Sequence, residues 1–389
     1  MKKVVLFIGN LKFGGMGRVV LIAYQLLKEQ YDVKIVTLHT NDADYDLNIE
    51  VYDLKKTTYK GIFSIPINFF TRLRAVYKMK KDLKPDIVMS FGMYPNYLNV
   101  LTKRKEKVII SIRSFDWLTI PLLTKGLDKW IVNKADSVNC VSNVIADEAE
   151  RVWGIPRHKN RVIYNPYDIQ FIKKKSCESV ENDLIKNDYF TVVSVGRLVD
   201  QKGFNHLIKA FSIVIKEIPN AKLLIIGNGE RKAELIKLIS DLRVEKNVFL
   251  LGGKSNPYKY MSRADLYVLS SLSEGFPNAM VEAMCVQTPI LATDCKSGPR
   301  EILSLGNYNK IANDIEVCEY GVLVPPMSGS LNYDAKYIEE CDKKLAEGIV
   351  FMIKNKSLRE TLRKKSIERV EKFSYEVFKE NLIKELESV

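Results

Sequence analysis

The sequence predicts an α/β chain built from two doubly wound domains. Three observations carry this expectation. A length of 389 residues exceeds what one hydrophobic core usually organises. Short β-branched runs alternate with longer helical patterns along most of the chain. Those runs are continuously apolar, the mark of parallel strands covered on both faces.

The runs fall into two sets. The first comprises "VVLFIG" (4–9), "DVKIVTLH" (32–39), "DIVMSFG" (86–92), "KVIISIRS" (107–114), "DSVNCVS" (136–142) and "RVIYNP" (161–166). The second comprises "FTVVSVGRL" (190–198), "KLLIIGNG" (222–229), "NVFLLGG" (247–253), "DLYVLSS" (265–271), "PILATD" (289–294) and "GVLVPP" (321–326). Six strands in each half imply two Rossmann-like sheets facing a central cleft. The expected boundaries are a first domain over 1–167, a linker over 168–188 and a second domain over 189–373. The linker reading rests on the polar, lysine-rich "DIQFIKKKSCESVENDLIKND". After Lys336 the pattern is helical and amphipathic, with a break near Phe373 and Ser374. Segment 374–389 is expected to cross back to the first domain.

Composition narrows the class. With 46% hydrophobic and 28% charged residues, the chain reads as globular rather than disordered. No apolar run approaches the roughly 20 residues of a membrane-spanning helix. The apolar run in "MKKVVLFIGNLKFGG" is shorter than the roughly 7–15 residues of a signal peptide, so the cytoplasm is the expected location. Six cysteines, at 140, 177, 285, 295, 318 and 341, form no CxxC pair. They suit reduced thiols better than a disulfide or zinc framework. His39, His158 and His206 are far apart, without metal-ligand spacing, and read as structural or surface groups. The net charge of +13 is uneven: residues 1–165 hold 27 Lys and Arg against 16 Asp and Glu, the remainder 33 against 31. An anionic partner of the first half would explain this: a phosphorylated acceptor, a membrane surface or nucleic acid. A generally basic surface explains it as well.

The stretch "SLSEGFPNAMVEAM" carries the strongest chemical signal. A strand should end near Ser271, and Pro277 suits the first position of a helix reaching Gln287. Glu274 then lies in the loop before the helix and Glu282 inside it, amid apolar neighbours. Carboxylates are rarely buried without a partner. A carboxylate accepts two hydrogen bonds from vicinal hydroxyls, so Glu282 suits a ribose and Glu274 a sugar. Between them, the N–H groups of Gly275 and Phe276 and the helix dipole favour a phosphate. The bland reading is a helix-capping glutamate and a buried ion pair. Upstream, "VGRLVDQKGF" sets Arg197 and Lys202 just beyond a strand, where cations suit a diphosphate; solvated loop cations are the other reading. In "GNLKFGGMGRVV", a glycine-rich turn lets backbone approach a phosphate. It fits the dinucleotide fingerprint poorly, because Val20 stands where a third glycine follows Gly15 and Gly17.

These residues resemble a known family. "EGFPNAMVE" matches the E-x7-E motif of retaining nucleotide-sugar glycosyltransferases of GT-B fold, glycosyltransferase family 4 (group 1 type), in the form found in bacterial surface-polysaccharide synthesis. "GRLVDQKGFNHLIKAF", "LLIIGNGE", "SLSEGFPNAMVEAM" and "CKSGPREIL" occur in that family's order. The resemblance is strong over 190–326 and looser in the first half. It implies that Arg197 and Lys202 neutralise a donor diphosphate, Glu282 holds the ribose and Glu274 faces the donor sugar. Gly275, Phe276, Pro277 and Asn278 would line sugar and phosphate. Gly14 and Gly15 would face the phosphates, with Gly227 ending the next donor-side strand and Lys254 near the base. "SGPREIL" is similar to versions in enzymes using UDP-hexoses or UDP-N-acetylhexosamines. Many relatives carry an acceptor-side histidine; here "IISIRSFD" offers Arg113, Ser114 and Asp116 instead. Gln287 replaces a common glycine after the helix.

The chemistry implied is transfer from a UDP-sugar to a saccharide acceptor, lipid-linked, in capsule, O-antigen or similar glycan synthesis. Breaking the sugar–phosphate bond builds charge on the diphosphate, which Arg197, Lys202 and backbone N–H groups can stabilise without a metal. "DAD" at 42–44 fits a metal-binding pattern, but its polar surroundings read as a solvated loop. No cofactor or metal is expected. The resemblance further implies retention at the anomeric carbon, with no general base singled out. Residues 55–84 mix basic side chains with Ile62, Phe63, Ile65, Phe69 and Phe70, which suits either an anionic membrane surface or a core helix face. Peripheral contact with the inner face of the cell membrane follows from the first. Competing classes are a dinucleotide oxidoreductase, a same-fold epimerase or phosphorylase, and a nucleic-acid module. The last lacks a recognition helix or single-strand motif, so no nucleic acid is expected.

Overall fold

The computed structural model describes residues 1–11, 15–39, 49–55, 64–114, 125–180, 188–306 and 308–389. They form two units, Met1–Pro166 with Tyr375–Val389, and Tyr167–Ser374.

In the first unit the described strands are β1 (Lys3–Ile8), β2 (Asp32–Thr37), β3 (Val51–Asp53), β4 (Ile87–Phe91), β5 (Lys107–Ile112), β6 (Ser137–Cys140) and β7 (Asn160–Val162). They make one parallel sheet in the order β3-β2-β1-β4-β5-β6-β7. Strand β1 shows why the run is apolar throughout. Val4, Leu6 and Ile8 enter one core with helix Gly15–Leu27, while Val5 and Phe7 enter a second core with helix Ser64–Leu83. The C-terminal helix Tyr375–Ser388 belongs to this unit and buries Phe378, Leu382 and Leu386 in the first core. Its Glu385 is buried too, and accepts hydrogen bonds from Ser137 Oγ (2.9 Å) and Asn139 Nδ2 (2.7 Å). Burial raises that carboxyl's pKa, against the pull of Asn139, Ser137 and Arg113.

The second unit repeats the plan. Its described strands are β8 (Phe190–Val195), β9 (Ala221–Ile226), β10 (Val248–Leu250), β11 (Leu266–Leu269), β12 (Ile290–Thr293), β13 (Glu316–Val317) and β14 (Val322–Val324). The order is β10-β9-β8-β11-β12-β14-β13, with β13 antiparallel to β14. All twelve apolar runs become strands. The two described strands not expected, β3 and β13, have three and two residues, too few to show a period.

Two expectations need correction. Residues 169–176, read as linker, form helix Ile169–Ser176 within the second unit. Asp168 caps it by accepting the Phe171 N–H at 2.9 Å, and Ile169 and Ile172 are buried. Three lysines follow directly on those apolar positions, so the helical pattern breaks off after one turn. The helix after "EGFP" spans Asn278–Cys285, with Pro277 as its cap rather than its first residue. It stops short of Gln287 because that residue adopts a left-handed φ of 61°, a conformation glycine favours. No described helix is long and apolar enough to cross a membrane.

Candidate active site

Strand order reverses between β8 and β11, so the loops leaving their carboxyl ends meet at a topological switch point. Open parallel sheets bind ligands in that crevice. The sequence folds tightly there. After β8 a short 3-10 turn, Asp200–Lys202, ends on Gly203 at φ 60°. A Cβ at Gly203 would lie 2.1 Å from the Ser270 carbonyl oxygen, so only glycine lets the two loops close. The loops are laced by Leu272 N–H to Gln201 O (2.8 Å), Gln201 Nε2 to Ser273 O (2.9 Å) and Ser270 Oγ to Lys202 O (2.9 Å).

Between these loops sit the charged groups. Lys202 Nζ lies 2.6 Å from Glu274 Oε1, and Ser271 Oγ donates to that same oxygen at 2.6 Å. Glu274 is only 7% exposed. Among the described residues its Oε2 accepts no hydrogen bond, which leaves that oxygen for a ligand hydroxyl. Arg197 is exposed and forms no ion pair with the described residues. Burial, then Glu274, pushes the neighbouring Cys295 thiol well above its usual range, so it is no nucleophile. The buried Tyr267 phenol is likewise raised, by burial first and then by the charges of Glu274 and Glu282.

Glu282, 8% exposed, lies on helix Asn278–Cys285 with the Tyr258 hydroxyl 3.5 Å from its Oε1. Asn278 Oδ1 accepts from the Tyr167 hydroxyl at 2.6 Å, and Phe276 packs edge-on against Phe373 at 5.3 Å. Ser297 Oγ donates to Gly275 O at 3.0 Å. Gly298, at φ 88°, has no room for a Cβ, which would meet Pro277 Cδ at 2.5 Å. Thus "SGPREIL" braces the "EGFPN" loop. Gly227, after β9, lies against Gly196. Lys254 follows β10 and is exposed. Arg197, Lys202 and Glu274 thus border the β8–β11 crevice, and Glu282 stands on the helix that follows.

In the first unit, Arg113 follows β5 but is tied inward. It donates to Ser111 Oγ (2.8 Å), Asn165 Oδ1 (2.9 Å) and Asn139 Oδ1 (3.2 Å). Burial pushes its guanidinium down to about 10, against the opposing pull of Glu385. Ser114 follows it, half-buried. Gly15 opens helix Gly15–Leu27. Gly14, Asp116 and the 42–44 motif lie outside the described residues. One group among the described residues has metal-like spacing: His206, Cys341 and Asp342. Both His206 nitrogens are already engaged, by Asp342 Oδ1 (2.7 Å) and Ser330 O (3.1 Å), so it pins two helices together.

Sequence reasoning missed Ser271, Gln201, Tyr258 and Tyr167. Their partners lie tens of residues away, except that Ser271 stands three before Glu274 and could have been read as its donor.

Two family models match the chain: Glycosyltransferase Family 4 over residues 13–171 and Glycosyl transferases group 1 over residues 177–316. An uncharacterized glycosyltransferase of Methanocaldococcus jannaschii is 37% identical, covering 90% of this chain and 91% of its own length. A Campylobacter jejuni protein is 29% identical over 78% of this chain and 83% of its own; it is an N-acetylgalactosamine-N,N'-diacetylbacillosaminyl-diphospho-undecaprenol 4-alpha-N-acetylgalactosaminyltransferase. Among solved structures, Anabaena HepE in complex with UDP superposes with a TM-score of 0.76 at 17% identity, covering all of both chains. The fold is therefore GT-B, and with 37% identity across nine-tenths of its length to a glycosyltransferase, the chain belongs to the group 1, family 4 glycosyltransferases.

Proposed function

We propose that this protein transfers a hexose or N-acetylhexosamine from a UDP-sugar to a lipid-linked saccharide in cell-surface glycan synthesis, retaining anomeric configuration and using no metal. The observation that carries the reading is the cluster at the β8–β11 crevice. Lys202 stands against Glu274, one of whose oxygens accepts no hydrogen bond from the described residues, and Arg197 is exposed on the same loop after β8. The named activity of the Campylobacter relative and the UDP bound by HepE support the choice of acceptor and nucleotide.

The chain's own residues then divide the work. Arg197 meets the diphosphate first, because it is exposed and unpaired by the described residues. Lys202 turns from Glu274 toward the phosphate as charge develops on the leaving group, where a preorganised cation is worth most. Ser271 keeps Glu274 in place during that exchange, and its open oxygen accepts from a sugar hydroxyl. Glu282 accepts from the ribose hydroxyls.

A panel of UDP- and GDP-sugars tests this, first by thermal shift and then by donor hydrolysis with EDTA present. One UDP-sugar is expected to raise the melting temperature by about 5 °C at saturating concentration. Its hydrolysis is expected to be unchanged by EDTA. A preference for GDP-sugars, or abolition by EDTA, contradicts the reading. Product analysis with and without a saccharide acceptor separates transfer from epimerisation or phosphorolysis.

A further inference from the structure

We infer that Tyr333 is a positioning residue for the transfer: through Asp200 it fixes the turn that carries Lys202. The inference rests on the role proposed above for Lys202 at a diphosphate, although the contact itself belongs to the free protein.

Residues 325–339 connect β14 to helix Glu340–Lys354 without forming a helix or strand. Such connections usually run to about 2–6 residues, and much longer ones are uncommon outside functional sites. This one is held firmly. Helix Phe204–Glu217 grips it with three side chains that are no more than 2% exposed, Asn205, His206 and Lys209. Asn205 Nδ2 donates to Ser330 O and Asn332 O, each at 3.4 Å. His206 Nε2 lies 3.1 Å from Ser330 O. Lys209 Nζ donates to Asn332 O (2.9 Å) and Tyr337 O (2.7 Å). Burying an ammonium is costly unless it is hydrogen-bonded, and here the carbonyls of this one segment supply the bonds.

Tyr333 is where the anchored segment reaches the candidate site. Its hydroxyl donates to Asp200 Oδ1 at 2.8 Å. Asp200 opens the 3-10 turn that Lys202 closes. Arg231 grips the same carboxylate, Nε to Oδ1 at 3.0 Å and Nη2 to Oδ2 at 2.7 Å. Arg231 stands on the loop after β9, and Tyr333 on the chain leaving β14; those strands lie on opposite sides of β8 in the sheet order. Within the turn, the Lys202 N–H donates to Val199 O (3.1 Å) and the Gly203 N–H to Asp200 O (3.0 Å). The turn is thus a short closed unit, and a shift of Asp200 is handed on to Lys202.

Arg231 alone would hold Asp200 by a long side chain that is 35% exposed and shared with Glu234. Tyr333 has fewer rotatable bonds, and its backbone is fixed by the buried clamps, so it is the stiff member of the pair. Stiffness matters at Lys202 because that side chain serves two partners from one backbone position. In the free protein it lies 2.6 Å from Glu274 Oε1; during transfer it meets the leaving diphosphate. Misplacing such a group by about 1 Å can slow a reaction about a hundredfold. A purely structural role for Tyr333 would support the fold and leave the rate alone.

Tyr333→Phe in the full chain tests the inference, since it removes the hydroxyl and keeps the ring. Hydrogen exchange reads the turn with no donor present: the Lys202 and Gly203 amides should exchange about tenfold faster in the variant, with the amides of β9 unchanged. In UDP-sugar hydrolysis kcat should fall about tenfold, with KM for the donor within about twofold of the original. In a Lys202→Ala background the same substitution should slow hydrolysis by less than about twofold, because the group it positions is gone. The variant should melt within about 5 °C of its parent, which shows that it folds. Turn amides as protected as in the parent, or an unchanged kcat, overturns the inference. So does the full loss of rate in the Lys202→Ala background, which would mean that Tyr333 acts by another route. Hydrolysis absent from the unsubstituted protein would instead count against the proposed transfer, and the exchange rates would still decide whether Tyr333 holds the turn.

Discussion

Arg197→Ala is expected to slow sugar transfer about 10²–10³-fold, the cost of removing one group that stabilises developing charge. Its melting temperature should stay within about 2 °C, since exposed substitutions typically change stability by no more than about 0.5 kcal/mol. The reason for this separation is geometric. Arg197 is exposed and unpaired by the described residues, so the folded state loses nothing with it. Lys202→Ala should behave differently. It removes the 2.6 Å partner of a carboxylate that is only 7% exposed. Activity should fall comparably, and stability should fall by about 1–3 kcal/mol as Glu274 is left without its charged partner. Transfer kinetics and thermal melts on both variants check the contrast. Equal melting temperatures for the two would show that the Lys202–Glu274 pair contributes nothing to the free protein. Full activity in Arg197→Ala would remove the diphosphate role.

Gly227→Ala is the second large effect. Gly227 has φ 156°, and a Cβ there would lie 1.8 Å from the Gly196 carbonyl oxygen and 2.9 Å from its carbon. Those atoms are backbone and cannot rotate away. Gly196 itself lies against the Lys202 side chain, so relief of the clash must displace the turn carrying Arg197 and Lys202. We expect a stability loss of about 2–4 kcal/mol, in the upper range for single substitutions, together with loss of donor-induced thermal shift. Gly126→Ala is the matched control. It stands in helix Lys125–Lys134 with nothing within 4 Å of an added Cβ, and alanine favours a helix. Urea unfolding of the two variants measures the difference. A Gly227→Ala protein as stable as its parent would show that this close approach does not hold the turn.

The fold was legible where burial acts on both faces of a strand. In β1, alternate residues serve two different cores, so the whole run must be apolar, and the pattern survives in sequence. It failed where elements are too short to have a pattern, as in β3 and β13. It failed again at helix Ile169–Ser176, where three lysines follow the two buried isoleucines and no further apolar position repeats the pattern. The candidate site was legible through charge in an apolar setting. Glu282 stands out because its helix neighbours Val281, Ala283 and Met284 are buried hydrophobes. The pairing of Glu274 with Lys202 was not legible, since 72 residues separate them and only the adjacency of β8 and β11 brings them together. Arg113 illustrates the opposite limit. A cation beyond a strand end reads as a ligand group, but here Asn139, Asn165 and Ser111 occupy its donors.

The central claim is that the crevice between β8 and β11 holds a nucleotide diphosphate. A crystal structure of the protein soaked with UDP tests it most directly. The account predicts phosphate oxygens within hydrogen-bond distance of both the Arg197 guanidinium and Lys202 Nζ, with the Lys202–Glu274 contact lengthened and the ribose hydroxyls on Glu282. UDP bound elsewhere, with Lys202 still 2.6 Å from Glu274, would contradict it.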